Sequence, residues 1–403
     1  MRMKIGILGA GGDISSGQYL ARLYKGYPEA EFLAFEPSDN PEVFAKVQET
    51  IPQIVNHTSD GAVIDALSSE DYLFILSPSG YHADQLMRAT SKAYKPFIIC
   101  EKPVALIKEE LERLIESDQR GKFTNTFFVD HWYPRMEGIK QMLRAGIGLE
   151  NIKQTHLHPH LEISDKHKEY LSEQPISVES LIKVEGYLIE DSHLDTETNM
   201  RYPMSFMGGD YSRGESVFKY PNGVLTDTLI HPMNALCYAL GIDGLTLQNI
   251  KSHSLLDRYG LPIERNDFQN GEAFAQINGN LNLPSGKDIE FDLVANKLAE
   301  KDHKGMTLTF EDGRSIIFKK VNGKDTTTLL GRNHEVLALM STNREPYDLL
   351  IKDWILSGKV FQSNLSRPHN EQSLASYLNR IQLTNLQSLI GIQESARGLQ
   401  SLL

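Results

Sequence analysis

The chain has 403 residues, of which 40% are hydrophobic and 23% charged, and its formal net charge is −12. This length fits two globular domains, and the acidic balance excludes the basic patch that nucleic-acid binding requires. No apolar run reaches the roughly 20 residues of a membrane span, and no secretory signal is recognisable. The two cysteines, Cys100 and Cys237, show no disulfide spacing. We therefore expect a cytoplasmic protein without a membrane partner.

Residues 1–130 alternate short apolar runs with amphipathic stretches. The apolar runs predict strands at 3–10, 31–36, 71–78, 95–103 and 123–131. Between them, apolar residues recur at helical spacing, and strands that alternate with helices are typical of βαβ units in a parallel sheet. The sequence therefore predicts an α/β fold whose first domain, residues 1–130, is a doubly wound Rossmann sheet.

The pattern changes in residues 131–403, which we expect to form a second α/β domain. Partly alternating segments with Gly, Asn and Asp turns between them predict strands at 152–163, 273–284, 287–296, 305–312 and 314–321. This is typical of an open, mostly antiparallel sheet. The polar stretch 164–215 is predicted to be a long insertion, either a lid over the cleft or a mobile loop. Helical patterns at 347–356 and 371–399 predict C-terminal helices packing back on the first domain.

A glycine-rich turn follows the first predicted strand and contains Gly9, Gly11, Gly12, Asp13 and Ile14. Such a turn lets backbone amides approach a pyrophosphate, although Ile14 stands where the dinucleotide motif has its last glycine. Glu36 ends the second predicted strand, where an acid accepts ribose hydroxyls and repels a 2′-phosphate. These residues predict a dinucleotide site that prefers NAD, with NADP possible; an ordinary glycine turn and a solvated acid are the alternatives.

Two further segments, ILSPSGYHADQ (75–85) and IICEKPVA (98–105), resemble the matching segments of the Gfo/Idh/MocA oxidoreductases. The resemblance extends to GVLTDTLIHPMNAL (223–236) in the second domain. It implies a nicotinamide cofactor that also contacts Ser77, Pro78, His82, Glu101 and Lys102. It further implies that Lys102 hydrogen-bonds the reacting hydroxyl and that the following peptide bond, to Pro103, is cis; a surface lysine is the alternative.

Asp227 and His231 are four residues apart, a spacing that places two side chains on one face of a helix. Histidine can take a proton near neutral pH, and an acid can hold its tautomer and orientation. The family pattern is Asp-x-Gly-x-His; here Leu229 replaces the glycine, and Asn234 stands where many members carry a second acid. Together with Lys102 they are the predicted catalytic residues, the alternative being a capped helix start with a core histidine.

The segments GAGGDIS (9–15) and FVDHWYPR (128–135) also resemble glucose-6-phosphate dehydrogenases. By that resemblance His131 occupies a phosphate-binding position, and the guanidinium fork of Arg135 suits phosphate. We therefore predict an anionic sugar substrate bound by Asp130, His131, Tyr133 and Arg135. The alternative for Arg135 is an ion pair with a surface acid.

Three histidines, His156, His158 and His160, alternate and would share one strand face with Glu162. Zinc sites use histidines on a shared face, but nothing nearby completes a ligand set, so no metal site is predicted.

The combined prediction is an NAD(P)-dependent dehydrogenase or reductase acting on a secondary or anomeric hydroxyl of a sugar, sugar phosphate or polyol. The resemblance also implies a homo-oligomer formed through the open sheet face. Two alternatives stay open: a catalytically silent nicotinamide-binding sensor or partner protein, and an imine or tetrapyrrole reductase on the same fold.

Overall fold

The chain forms two compact units. In the computed structural model, unit 1 comprises Met1–Asp130 and Tyr347–Leu383, and unit 2 comprises His131–Pro346 and Thr384–Leu403. The structure describes residues 2–11, 15–36, 41–144, 161–195, 200–203, 223–257, 259–263, 272–283, 285–362 and 373–398. Within these ranges, none of the helices combines the length and the apolar character needed to cross a bilayer.

Unit 1 contains a six-stranded sheet in the order β3-β2-β1-β4-β5-β6. Its strands are β1 (Lys4–Leu8), β2 (Glu31–Phe35), β3 (Val55–Asn56), β4 (Tyr72–Ile75), β5 (Phe97–Glu101) and β6 (Thr126–Val129). All pairs are parallel. Strand order reverses at β1, where ligands of doubly wound sheets bind beyond the carboxyl ends of the strands. The predicted Rossmann sheet is confirmed.

Ten α-helices are described. They are α1 (Ala21–Gly26), α2 (Pro41–Thr50), α3 (Asp60–Asp65), α4 (His82–Thr90), α5 (Lys108–Gln119), α6 (Glu137–Arg144), α7 (Asp165–Glu173), α8 (Ile230–Leu240), α9 (Pro346–Asp348) and α10 (Leu374–Ala396). Wider π-helical segments span Ser15–Leu20, Leu225–Leu229 and Leu349–Ile355. Local sequence sets several ends: the Ser59 side chain caps α3, and Gly241, in the left-handed conformation, ends α8.

A later segment of the chain, residues 347–383, belongs to unit 1. β6 is an edge strand, and the side-chain amide of Asn379 on α10 bonds to its outer side: Nδ2 donates to the Thr126 carbonyl at 2.8 Å, and Oδ1 accepts from the Phe128 amide at 2.7 Å. The ring of Phe361 packs 4.8 Å from that of Phe97 on β5. The described residues within 347–362 and 373–383 therefore pack against the sheet of the first unit.

Unit 2 is built on a sheet of ten described strands in the order β10-β11-β12-β8-β13-β14-β15-β16-β7, with β9 pairing to β8. The strands are β7 (Glu162–Ile163), β8 (Leu181–Asp195), β9 (Met200–Pro203), β10 (Ile250–Leu256), β11 (Phe274–Asn282), β12 (Asp288–Ala299), β13 (His303–Phe310), β14 (Ser315–Val321), β15 (Lys324–Leu330) and β16 (Val336–Thr342). The β12–β8 pair is parallel and the other described pairs are antiparallel. The predicted mostly antiparallel sheet is confirmed.

One part of the predicted insertion 164–215 needs correction. Residues 181–195 are not a loop, because they form β8, which lies between β12 and β13 inside the sheet. Residues 165–173 form α7, whereas 204–215 lie outside the described part of the chain. The buried face of β8 does carry alternate residues, which are Val184, Gly186 and Leu188. Because the middle one is a glycine, the apolar alternation is interrupted and the strand is not recognisable in the sequence.

Candidate functional site

The glycine turn after β1 has no room for side chains. Gly9 has φ +77°, and a Cβ there would lie 2.3 Å from the Cα of Ser77 and 2.5 Å from its backbone nitrogen. A Cβ on Gly11 would lie 2.1 Å from a methyl group of Val43. The turn therefore presents bare backbone at the carboxyl end of β1. The predicted Gly12, Asp13 and Ile14 lie outside the described residues.

Glu36, directly after β2, reaches this turn. Its Oε2 accepts a hydrogen bond from the Gly11 amide at 2.6 Å. Because β1 and β2 are parallel neighbours, the carboxyl end of one strand places the acid beside the turn that follows the other. The predicted ribose-binding acid and the predicted phosphate-binding turn are thus in contact.

His82 contacts the backbone of the segments that follow β4 and β5. This side chain is 1% exposed, with Nδ1 2.9 Å from the Pro103 carbonyl oxygen and Nε2 2.6 Å from that of Ser77. Burial lowers the pKa of His82. Both ring nitrogens face protein backbone, so the predicted cofactor contact is corrected: His82 positions the segments after β4 and β5. Ser77 is buried and donates to Gln85, whereas Pro78 is exposed.

Glu101 is the last residue of β5, and Lys102 follows it. Glu101 is 7% exposed; its Oε1 accepts from the Tyr19 hydroxyl, and its Oε2 accepts from the Lys102 amide at 3.1 Å. Burial raises the pKa of Glu101 to about 7, and the nearby charge of Asp130 acts in the same direction. The Lys102–Pro103 bond is cis, and the Lys102 side chain is half-buried. Tyr19 was not singled out by the sequence, which shows only its helical spacing.

In unit 2, Asp227 lies in the π-helical segment Leu225–Leu229, and His231 lies in the first turn of α8. Asp227 forms an ion pair through Oδ2 with the Nζ of Lys297 on β12, and this ammonium also lies 3.2 Å from Oε2 of Glu190 on β8. Lys297 is a residue that the sequence analysis missed, because its partner is 70 positions away in the chain.

His231 is 3% exposed and lies against two rings from the segment after β6. Its ring centroid is 4.6 Å from that of His131, at an interplanar angle of 69°, and 6.2 Å from that of Trp132, at 19°. Trp132 itself packs on Phe318 of β14. These contacts fix the plane of the imidazole, and they bring the predicted substrate residue His131 next to the predicted base.

The other predicted substrate residues are buried. The guanidinium of Arg135 forms an ion pair with Asp325 at 2.6 Å, with side-chain exposures of 5% and 7%. Tyr133 is fully buried and packs edge-on against Tyr238. Asp130 is fully buried as well. The phosphate role predicted for Arg135 is therefore corrected, since its charge is already matched by a buried carboxylate, and Tyr133 is a core residue.

Asn234 and the cysteines have structural positions. Asn234 is fully buried and its Oδ1 accepts from Asn385 at 2.9 Å. Burial raises the pKa of the Cys100 thiol well above its usual value and that of Cys237 to about 12. Neither thiol is suited to act as a nucleophile. The histidines at 156, 158 and 160, considered above for metal binding, lie outside the described residues.

Solved structures share this two-unit fold. A UDP-N-acetylglucosamine 3-dehydrogenase from Acidithiobacillus ferrooxidans is 14% identical, with 99% of each chain covered and a TM-score of 0.57. A levoglucosan dehydrogenase in complex with NADH and levoglucosan is 14% identical over 99% of this chain and 91% of its own, with a TM-score of 0.56. A biliverdin reductase from Synechocystis sp. PCC 6803, in complex with biliverdin and NADP+, is 13% identical over 98% and 99%, with a TM-score of 0.56.

Among curated protein sequences, nothing matches this chain. Residues 3–130, in contrast, match the model of the Gfo/Idh/MocA oxidoreductase family, described as having an NAD-binding Rossmann fold. This range contains the glycine turn, Glu36 and the Glu-Lys-Pro segment. The parallel sheet of unit 1 and these motifs thus lie within a segment that matches the NAD-binding Rossmann domain of the Gfo/Idh/MocA oxidoreductases.

Proposed function

We propose that this protein is an NAD-dependent oxidoreductase that transfers a hydride between the cofactor and a hydroxyl-bearing carbon of a sugar or related polyol. The observation that carries the proposal is the contact of Glu36 with the side-chain-free turn at Gly9 and Gly11, within a domain that matches an NAD-binding family. Two of the similar solved structures are, by their names, dehydrogenases of sugar compounds.

The described residues fit a dinucleotide. The turn offers backbone amides where any Cβ would collide with neighbouring atoms, and Glu36 offers two acceptor oxygens for ribose hydroxyls. When bound, the cofactor supplies the hydride chemistry, and the protein supplies position and proton handling. His82 keeps the segments after β4 and β5 together at this sheet edge.

Proton handling is assigned to three side chains. His231, fixed by its ring neighbours, accepts the hydroxyl proton during oxidation at Nδ1 or Nε2. Asp227 fixes the substrate and the imidazole. Lys102 orients the hydroxyl and stabilises negative charge that develops on its oxygen. The role of Lys102 follows from the resemblance of residues 98–105 to the family.

A substrate screen tests the proposal. Purified protein is mixed with NAD or NADP and with sugars, sugar phosphates, nucleotide sugars and inositols, and the reduced-nicotinamide absorbance is followed. On a confirmed substrate, His231→Asn and Lys102→Ala should each lower turnover by about 10²–10⁴, with cofactor affinity nearly unchanged. Matched controls are His253→Asn and Lys46→Ala, at exposed positions. Full turnover in both site variants would contradict the assignment, and cofactor binding without turnover would favour the silent sensor.

Cofactor choice has its own test. The carboxylate of Glu36 should repel a 2′-phosphate, so the wild type should have the higher kcat/KM with NAD. Glu36→Ala should lose most of that preference. A wild type that prefers the phosphorylated cofactor would show that this acid is misassigned.

The second candidate is a tetrapyrrole or imine reductase, which the similarity in fold to biliverdin reductase favours. Its test is oxidation of NADH or NADPH on addition of biliverdin or a cyclic imine. Turnover there, with none on any hydroxyl compound, would replace the first proposal.

We also propose that two copies associate through the open face of the sheet in unit 2. Along β11 and β12 the residues facing away from the core, such as Gln276 and Asp292, alternate with buried ones and are only partly exposed. Light scattering should therefore give at least twice the mass of one chain, 45.4 kDa, and a monomer would contradict this.

A further inference from the structure

Unit 2 contains a lysine that lies almost entirely out of solvent. The Lys297 side chain is 3% exposed, and its Nζ contacts Oδ2 of Asp227 and Oε2 of Glu190, the latter at 3.2 Å. Burial alone lowers the pKa of a lysine, but the two carboxylates more than offset this, and the pKa of Lys297 is raised above its ordinary value. The ammonium is therefore charged over the whole working range of pH.

The two carboxylates depend on this ammonium to different degrees. The Glu190 side chain is 42% exposed, so water stabilises its charge, whereas the Asp227 side chain is 13% exposed. An ionised carboxylate that is removed from water needs a charged or hydrogen-bonding partner. Lys297 is thus the cationic partner that the structure describes for Asp227, and the Glu190 carboxylate leaves this cluster with one negative charge in excess.

The ammonium also fixes where Asp227 lies. β12 and β8, which carry Lys297 and Glu190, are neighbouring central strands of the sheet. On the helical side, the Asp227 amide donates to the Gly223 carbonyl at 3.3 Å, and the Thr228 hydroxyl donates to Glu190 at 3.5 Å. The segment before His231 is therefore attached to the sheet through one cation and two carboxylates. Among the described side chains, the titratable groups on the buried face of β8 and β12 are Glu190 and Lys297, and the segment 225–231 contributes Asp227 and His231.

We propose that Lys297 is a positioning residue for the hydride-transfer reaction: its ammonium holds Asp227 as an oriented carboxylate four residues before His231. This inference rests on the proposed function. Lys297 contacts no substrate and acts through Asp227. Two consequences separate this role from a general structural one. Arginine should be able to replace Lys297, since it keeps the charge. The loss of turnover on removing Lys297 should not add to the loss of turnover on removing the Asp227 charge.

The test compares Lys297→Met, Lys297→Arg, Asp227→Asn and the double variant Lys297→Met/Asp227→Asn on a confirmed substrate. Lys297→Met should lower turnover at least about tenfold and move the acidic limb of the pH–rate profile up by about 1–3 units, the change expected when a carboxylate loses a neighbouring cation. Lys297→Arg should keep the wild-type limb and most of the turnover. The matched control is Lys183→Met, which breaks a more exposed ion pair with Glu185 on β8.

The double variant decides the question even if Lys297→Met does not fold, because it leaves no unpaired buried carboxylate. Turnover equal to that of Asp227→Asn supports action through Asp227, whereas a further multiplied loss overturns it. If the wild type is active and Lys297→Met keeps both its turnover and its pH–rate profile, this inference alone is overturned. No turnover by the wild type on any substrate overturns the proposed function, and this inference with it.

Discussion

Glu101 should make the stability of unit 1 depend on pH, and Glu101→Gln should remove that dependence. The carboxyl group is buried, and its pKa is raised from 4.5 to about 7. A carboxyl whose pKa is higher in the folded than in the unfolded state makes its full contribution to the free energy of unfolding at pH values below the unfolded-state pKa. That contribution is lost as the pH rises through the folded pKa, since the folded state must then bury the charge.

The size of the effect follows from the shift. The difference between 7 and 4.5 is 2.5 units, and at 1.36 kcal/mol per unit this gives a loss of about 3 kcal/mol between pH 4.5 and pH 8. Glutamine has no proton to lose. It can still accept from the Tyr19 hydroxyl, but it lacks the second acceptor for the Lys102 amide, which costs about 1 kcal/mol. The variant should be less stable than wild type by about 1 kcal/mol near pH 4.5 and more stable by about 2 kcal/mol at pH 8.

Urea unfolding monitored by tryptophan fluorescence can measure this. The chain has two tryptophans, Trp132 in unit 2 and Trp354 in unit 1, so a Trp132→Phe background makes the signal report on unit 1. Glu112→Gln, at an exposed position of α5, is the control and should differ little from wild type at either pH. A difference for Glu101→Gln that keeps the same sign and size from pH 4.5 to pH 8 would refute the reasoning.

Two other substitutions follow from the described contacts. Gly9→Ala should abolish cofactor binding and destabilise unit 1, because φ +77° alone costs about 1–2 kcal/mol for a residue with a Cβ and the methyl group collides with the Ser77 backbone. Isothermal titration with NAD measures the affinity, and unfolding curves measure the stability. An unchanged affinity would contradict the assignment of the turn. Arg135→Ala should lower the free energy of unfolding by about 3–5 kcal/mol, because it leaves the buried Asp325 carboxylate without its guanidinium partner. The double variant Arg135→Ala/Asp325→Asn should recover part of the lost stability. A selective rise in substrate KM at unchanged Tm would instead support phosphate binding by Arg135.

Much of unit 1 could be predicted from the sequence because its strands are buried apolar runs. The runs containing β1, β2, β4, β5 and β6 were all predicted, while β3 was missed since it comprises two exposed residues, Val55 and Asn56. In unit 2, β15 was missed for a different reason. Its buried positions include Thr326, Thr327 and Thr328, so the strand has no apolar alternation to detect.

For the candidate site, the sequence predicted positions but not partners. Local motifs pointed to Glu36 and to the glycine turn separately, and the parallel pairing of β1 with β2 places them in contact. The ion pairs of Asp227 with Lys297 and of Arg135 with Asp325 join residues 70 and 190 positions apart. Neither pairing has a local signature, since a charged residue at a strand end is equally compatible with solvent.

The hydrogen bonds of Asn379 to β6 impose an order of events on synthesis. Asn379 comes 251 positions after Phe128, so a ribosome that has finished the six strands of unit 1 still has to make all of residues 131–346 before that edge can be closed. Domains usually fold in the order in which they leave the ribosome, and an open strand edge is a template for pairing with another chain. In this chain, the unit that begins with β1 is completed only by residues 347–383, which follow the strands of unit 2. A truncation before residue 379 should therefore leave nascent unit 1 dependent on chaperones and prone to edge-to-edge aggregation, even though every residue proposed to bind the cofactor is already present.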